Sequence, residues 1–145
     1  MLAMFDIYDC SISVSCWTDI MYKLERLSPQ WTQYLDMLKT DFSQDKLISF
    51  RRYMQPRQTE YEQLMVYTVY RYMLNCRPSP AAAALLACLS YTVIEAIGAV
   101  IYNRSGNFDL DAQLEIIRLY SCEIEYSTEN VGLLLDALSQ AYLNN

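Results

Sequence analysis

The feature that most limits the folds open to this chain is an apolar segment from Ala81 to Tyr102, in which Glu95 is the only charged residue. Its 22 residues are long enough to cross a bilayer. A glutamate near the middle would cost about 2–3 kcal/mol on insertion scales. Helices that are apolar on all sides also form the centre of soluble bundles. We therefore expect a buried central helix, and Glu95 then needs a partner because an unpaired buried carboxylate is costly.

Glycine and proline are scarce in this chain of 145 residues, with three and four copies. Both are typical of turns, so their scarcity argues against a turn-rich sheet protein. Histidine is absent, which excludes a Ser-His-Asp triad, a Cys-His dyad, zinc sites with histidine ligands and an imidazole pH switch. The length fits one domain. We predict a single all-α domain over residues 1–145, in which residues 1–16 either extend the first helix or form a loose terminus.

Signals that start and stop helices divide the chain into closely linked segments. Serine followed by proline is typical of a helix N-cap and first turn, and Thr59 with Glu62 matches a capping box. Pro56 should end the helix before it, and residues 103–107 form the clearest turn. The predicted N-caps are Ser28, Ser43, Thr59, Ser79, Asp109 and Ser127. These signals predict a compact bundle of about six or seven helices around the central apolar helix, without strands.

Apolar residues recur every three to four positions, which is the spacing of one helix face. The faces predicted in this way are Trp17, Ile20, Met21, Leu24 and Leu27; Leu64, Met65, Val69, Tyr70, Met73 and Leu74; Leu110, Leu114, Ile117, Ser121 and Ile124; and Val131, Leu134, Leu135 and Leu138. We expect these faces to surround one shared interior with the central helix.

The charge of the chain is uneven. It carries 11 basic and 17 acidic residues, a net charge of −6. The excess lies after residue 104, where seven acidic residues accompany Arg118 as the only basic one. Phosphate contacts need lysine and arginine, so the C-terminal third is not expected to bind nucleic acid. The gradient favours a basic partner surface, and the alternative is a solvated acidic face that keeps the domain soluble.

The five cysteines stand at positions 10, 16, 76, 88 and 122, without a C-x-x-C pair. Such an odd, scattered set indicates neither a disulfide framework nor a zinc site. The first residues lack the basic start of a signal peptide. A reduced cytoplasmic protein is the simplest interpretation.

Three clusters are candidates for chemistry or pairing. Lys46–Arg57 contains four basic side chains, which could bind a carboxylate or phosphate, or pair within the domain. The tyrosines of residues 61–72 could line a pocket, although such rings more often pack in a core. Glu115 and Arg118, three positions apart, can pair along one helix face. The sequence contains no glycine-rich phosphate loop.

Two segments resemble the C-terminal helical region of flagellin lysine-N-methylases. They are YEQLMVYTVYRYM at residues 61–73 and LEIIRLYSCEIEYSTEN at residues 114–130, with the apolar helix and its turn between them. The likeness covers roughly residues 31–138. The pattern LYS-x-EIE-x-S-x-EN is the distinctive part, whereas the rest is a general helical sequence.

The resemblance implies a cytoplasmic protein of methylase lineage. Members of that family bind an iron–sulfur cluster through cysteines mainly in their N-terminal part and transfer methyl groups from S-adenosylmethionine to flagellin lysines. This chain is shorter than the usual family length and lacks the cysteine-rich part. We therefore expect no cofactor in this chain, and S-adenosylmethionine and the cluster are implied for the full-length family only.

The resemblance also singles out candidate site residues on the two segments. They are Tyr70, Arg71, Tyr120, Glu123, Glu125, Glu129 and Asn130. Their expected role is either to hold the two motif helices together or to contact a lysine-rich, flagellin-like protein, since carboxylates complement ammonium groups. No catalytic residue, metal site or membrane association is predicted.

Three functional hypotheses remain open from the sequence. The first is a helical C-terminal module of a lysine-N-methylase-like protein that acts through protein contacts and is not catalytic alone. The second is a small acidic binding protein that blocks a basic surface of a macromolecule. The third is S-adenosylmethionine-dependent methyltransferase activity in the intact protein.

Overall fold

A computed structural model describes residues 14–75 and 79–143, which form seven α-helices. These are α1 (Val14–Lys23), α2 (Pro29–Asp41), α3 (Gln44–Met54), α4 (Gln58–Asn75), α5 (Pro80–Ser105), α6 (Leu110–Tyr120) and α7 (Thr128–Tyr142). No described residue lies in a strand. The predicted all-α class and number of helices are confirmed. The prediction for residues 1–16 falls mostly on residues 1–13, which lie outside the described residues.

Helix α5 lies at the centre of the bundle and contacts each of the other six helices. It ends at Gly106, whose φ of 74° is a left-handed conformation that glycine adopts without strain. The helix is long and apolar enough to cross a membrane, but 67% of its most apolar window is buried inside the protein. That burial is typical of a core helix of a soluble bundle. The predicted central helix is confirmed, and buried Glu95 finds its partner in Arg51.

Five of the predicted N-caps are confirmed. The side chains of Ser28, Ser43, Ser79, Asp109 and Ser127 each accept a hydrogen bond from a backbone N–H in the first turn of the helix that follows. Such a cap satisfies one of the backbone donors that a helix leaves free at its start.

The predicted capping box at Thr59 is wrong. An N-cap needs extended backbone, whereas Gln58 is helical, with φ −55° and ψ −35°, and Thr59 lies inside α4. A 3₁₀ turn, Gln55–Arg57, joins α3 to α4, and Pro56 fits its first positions because no helical donor is needed there. The chain therefore passes from α3 to α4 without leaving helical conformations, although α3 does end before Pro56 as predicted.

The predicted face of α4 is wrong in its second half. The buried side chains of this helix are Tyr61, Leu64, Thr68 and Tyr72. Thr68 enters the core because its hydroxyl donates to the Met65 carbonyl at 2.9 Å. Since Thr68 and Tyr72, whose hydroxyls have hydrogen-bond partners, occupy the second half of the inner face, the apolar side chains there lie outside: Tyr70, Met73 and Leu74.

The face of α6 is also displaced from the prediction. The buried side chains of this helix are Gln113, Ile116, Leu119 and Tyr120, whereas Leu110 and Leu114 are more than half exposed. Gln113 can be buried because Arg57 donates to its side-chain oxygen at 3.0 Å. A polar residue with a partner thus takes a core position that the apolar spacing assigns to a leucine.

The predicted faces of α1 and α7 are largely confirmed. Trp17, Met21 and Leu24 are buried, but Leu27 is exposed because α1 ends at Lys23. On α7, Leu134, Leu135 and Leu138 are buried and Val131 is half-buried.

Candidate functional site

A π-helical turn, Ser121–Glu125, lies between α6 and α7 in the middle of the second resembling segment. The apolar spacing predicts a regular helix through Ile124, so this turn is a correction to the sequence analysis. π-helical turns are rare and occur frequently at functional sites. The turn carries Glu123 and Glu125, whose carboxylates bond to different parts of the bundle.

Glu123 holds the loop between α1 and α2. Its buried carboxylate accepts hydrogen bonds from the backbone N–H groups of Leu27 at 2.8 Å and Ser28 at 2.7 Å. Asn130 completes the connection, because its side chain accepts from Glu25 N–H at 3.2 Å and donates to the carbonyls of Glu25 and Glu123 at 3.0 and 2.8 Å. All these contacts lie within the domain, which fits the role of holding helices together.

Glu125 joins the π-helical turn to α4. Its carboxylate accepts from the Tyr67 hydroxyl at 3.1 Å and the Ser121 hydroxyl at 3.2 Å, and it lies 3.8 Å from Arg71 Nε. The Glu125 side chain is only 3% exposed. Burial, followed by the charge of Glu125, raises the pKa of Tyr67. The carboxylate is therefore balanced inside the domain rather than open to a partner.

Arg71 links this buried carboxylate to the surface. Its guanidinium lies over the Tyr126 ring, 5.7 Å from the centroid, which is cation–π distance. Tyr126 is 76% exposed, and Tyr70, which directly precedes Arg71 on α4, is 65% exposed. Glu129, in the first turn of α7, is also exposed. Tyr70, Arg71 and Glu129 are thus the candidate residues that a partner can reach.

Tyr120 lies beneath the site in a hydroxyl cluster that the sequence does not reveal. Its oxygen is 2.6 Å from Ser90 Oγ, and Ser90 also reaches the Tyr72 hydroxyl at 3.5 Å. The Tyr120 ring packs edge-on against Trp31, with 6.0 Å between centroids. Burial raises the pKa of both Tyr72 and Tyr120 well above that of a free tyrosine. Both phenols therefore stay protonated at neutral pH and connect α4, α5 and α6.

The outward side of α4 carries a row of large apolar side chains. We call Val66, Tyr67, Tyr70, Met73 and Leu74 the α4 outer face. Their exposed fractions run from 47% for Tyr67 to 78% for Leu74. Their spacing of three to four positions places them along one side of the helix. Single exposed apolar residues are ordinary, whereas a continuous row of them makes this face a candidate binding surface.

Three of the four basic side chains from Lys46 to Arg57 bond within the domain, and the fourth, Arg52, is exposed. Arg51 bonds to Glu95, and Arg57 donates to both carboxylate oxygens of Glu60 at 3.0 and 2.8 Å. Lys46 donates to the Asp41 carbonyl at 2.6 Å. This part of the chain therefore fits the interpretation of intramolecular pairing better than that of an anion site.

The predicted pair of Glu115 and Arg118 is confirmed, with two hydrogen bonds of 2.7 and 2.8 Å. Within residues 14–75 and 79–143, no group of three cysteine, aspartate or glutamate residues is placed to hold a metal ion. The three described cysteines, Cys16, Cys88 and Cys122, form no disulfide bond with one another. The expectations about cofactors stay predictions.

The structure thus divides the candidate residues into two groups. Four candidates form internal connections between helices: Glu123 with Asn130, Glu125 with Tyr67, and Tyr120 with Ser90. The candidates that a partner can reach are Tyr70, Arg71 and Glu129, and the exposed ring of Tyr126, which the sequence analysis did not single out, lies against Arg71. The sequence reasoning missed the α4 outer face as a surface, although its aliphatic and aromatic residues at positions 66–74 are the signal that could have identified it.

The comparisons with known proteins give one family. A family model described as the FliB lysine N-methylase C-terminal domain matches residues 5–145. No curated protein and no solved structure matches the chain.

Proposed function

The chain belongs to the family of FliB lysine N-methylase C-terminal domains, and on this premise we propose that it is a protein-docking module. In this proposal the α4 outer face binds the remainder of a lysine N-methylase, in the same polypeptide or in a separate one. The domain contributes contact and position rather than the reacting groups.

The observation that carries the proposal is the α4 outer face itself. Its members are apolar or aromatic and about half or more exposed, although the bundle has a well-filled core beside them. Tyrosine and methionine are enriched at protein interfaces, where charged residues are depleted. A face of this composition is better suited to another folded protein than to water.

The surroundings of the face support docking because their side chains are held by contacts within the domain. Tyr67 is fixed by Glu125, and Arg71 lies between that carboxylate and the Tyr126 ring. Side chains that are already ordered lose less conformational freedom on binding. The contacts of Glu125 thus order Tyr67 and Arg71 before a partner binds, while the Glu125 carboxylate itself stays inside the domain.

The experiment is a calorimetric titration of this 145-residue chain with the remainder of a lysine N-methylase of the family. Tyr70→Ala should weaken binding at least about tenfold, since tyrosines near the centre of an interface are frequent hot spots. Leu114→Ala is the matched control, because Leu114 is similarly exposed but lies on α6. Equal affinities for the two variants, or no binding by the native chain, would overturn the proposal.

A second candidate function is binding of a lysine-rich, flagellin-like protein through the acidic C-terminal third. Asp109, Asp111, Glu129 and Asp136 are exposed there, while Arg118 is paired with Glu115. Such binding would weaken as salt rises, since exposed charges are screened. Asp111→Asn with Glu129→Gln should weaken it further, whereas Asp45→Asn on α3 should not. Salt-independent affinity would contradict this candidate.

We also place methyl transfer from S-adenosylmethionine in the intact methylase rather than in this module alone, and the protein in the cytoplasm. The free thiols of Cys16 and Cys122 support a reducing compartment. Calorimetric titration of this chain with S-adenosylmethionine should give no binding heat. Saturable binding by the chain alone would contradict this assignment.

A further inference from the structure

The α4 outer face is highest along one row of side chains. Residues four positions apart follow a single ridge of a helix. Val66, Tyr70 and Leu74 form such a row, with exposed fractions of 56%, 65% and 78%, and we call them the crest row. Tyr67 and Met73, on the rows to either side, are less exposed, at 47% and 48%. The face is therefore a ridge rather than a groove, and its highest part is apolar or aromatic.

Helix α4 offers this ridge to a partner through side chains. The residues under the crest row are helical, so their backbone N–H groups donate to carbonyls of α4 itself. A strand that binds by adding to a sheet gains its affinity from main-chain hydrogen bonds at a free edge, which a helix does not have. The partner element must therefore satisfy its own backbone. A helix does so, and its surface has grooves into which such a ridge packs.

A carboxylate lies at the start of the crest row. Glu62 is exposed and lies one helical turn before Val66. Gln58 donates to its Oε1 at 3.0 Å, and no described lysine or arginine lies within ion-pair distance of it. A basic side chain on the partner would complement this charge at one end of the apolar contact.

The charges of α4 disfavour a lipid surface as the occupant. Helices that lie on membranes carry lysine and arginine beside their apolar face. Between Gln58 and Asn75, by contrast, Arg71 is the only basic residue and two residues are acidic. A protein helix with a basic residue complements this face better than anionic lipid does.

We propose that an amphipathic α-helix of the partner covers the crest row. This helix carries apolar residues three to four positions apart and, at one end of them, a lysine or arginine that pairs with Glu62. The crest row rises about 12 Å along the axis of α4, so about two turns of the partner helix take part. The inference rests on the docking function proposed above and states which element of the partner makes the contact.

The test uses the complex of the native chain with the remainder of a lysine N-methylase of the family. NMR contacts to the Tyr70 ring identify the partner residues at the face, and their Cα shifts report the backbone conformation. We expect contacts from partner residues three or four positions apart, with the Cα shifts of a helix. Contacts from residues two positions apart, with the Cα shifts of a strand, would overturn the inference.

A charge reversal tests the pairing of Glu62. Glu62→Arg should weaken binding about fivefold to tenfold in calorimetry at low salt, because it places like charges opposite each other. The difference from the native chain should fall below about twofold in about 1 M sodium chloride, where the Debye length is about 3 Å. Asp136→Arg is the matched control, because it makes the same change at an exposed site on α7 and should leave the affinity within about twofold.

Failure of docking and failure of the helical contact give different results. No binding by the native chain would overturn the docking function and this inference with it. Binding that Tyr70→Ala weakens but Glu62→Arg leaves unchanged would overturn this inference alone. In flotation with vesicles of phosphatidylcholine and phosphatidylglycerol, the native chain should stay unbound, and lipid binding that Tyr70→Ala abolishes would also overturn the inference.

Discussion

Arg51 and Glu95 form a two-point ion pair between α3 and the central helix, in which Nε and Nη2 of Arg51 each lie 2.8 Å from a carboxylate oxygen. The Glu95 side chain is 5% exposed and that of Arg51 is 27% exposed. The pair explains how an apolar helix carries a carboxylate through the core, because the charge is balanced and hydrogen-bonded where it is buried.

Arg51→Ala should lower the free energy of unfolding by about 3 kcal/mol, since it leaves the Glu95 carboxylate buried without its cation. Urea denaturation measures the change. Arg52→Ala is the matched control, because Arg52 is exposed on the same helix and its loss should matter by less than about 0.5 kcal/mol. Equal losses in the two variants would contradict the importance of the pair.

Glu123→Ala should free the loop between α1 and α2. The change removes the acceptor of two backbone N–H groups, those of Leu27 and Ser28. We expect a loss of about 3 kcal/mol, because each such bond to a charged group contributes roughly 1.5–3 kcal/mol and the effects are not fully additive. Hydrogen exchange of these two amides should accelerate. Glu129→Ala, on the exposed side of α7, should leave both amides as protected as in the native chain.

Gly98→Ala should destabilise the bundle although alanine favours helices. The new Cβ would lie 3.0 Å from Phe50 Cζ and 3.1 Å from the Tyr61 hydroxyl, closer than ordinary contact. Such overpacking costs about 1–3 kcal/mol. Gly132→Ala on α7 is the control, because nothing lies within 4 Å of its Cβ, and it should stabilise by about 0.5–1 kcal/mol. Thermal unfolding measures the stability of both variants. A higher melting temperature for Gly98→Ala than for the native chain would contradict the close contact at this position.

Stability should fall with rising pH through the ionisation of Tyr22. Burial, followed by the hydrogen bond and charge of Asp36, raises the pKa of Tyr22 to about 12. The folded state then keeps a proton that the unfolded state loses near pH 10. The contribution of Tyr22 to the free energy of unfolding is therefore present below about pH 10 and is lost by about pH 12. Denaturation across this range should show a smaller decline for Tyr22→Phe than for the native chain. An equal decline in stability for Tyr22→Phe and the native chain would contradict the coupling of Tyr22 to Asp36.

The helices could be predicted from the sequence because their signals are local. Ser79 followed by Pro80 starts α5, and Gly106 ends it, in each case through contacts within one turn. The same holds for the caps at Asp109 and Ser127. The prediction failed at Thr59, where Pro56 accommodates a 3₁₀ turn that matches no cap signal.

The buried faces and the site could be predicted only in part, because they depend on distant contacts. Glu123 bonds to Leu27, which is 96 positions away, and nothing near either residue indicates the pairing. Tyr72 and Tyr120 take core positions since Ser90 meets their hydroxyls. As those polar residues occupy the interior, the aliphatic residues of α4 form the outer face instead.

The side chain of Met73 reports most directly on the proposed docking of a partner at the α4 outer face. Met73 is 48% exposed on that face, whereas Met21 is 1% exposed in the core. The measurement is the NMR spectrum of methionine methyl groups as the remainder of a lysine N-methylase is added. We predict that the Met73 methyl resonance shifts and saturates while that of Met21 stays in place. Binding that leaves the Met73 resonance unchanged would contradict the account.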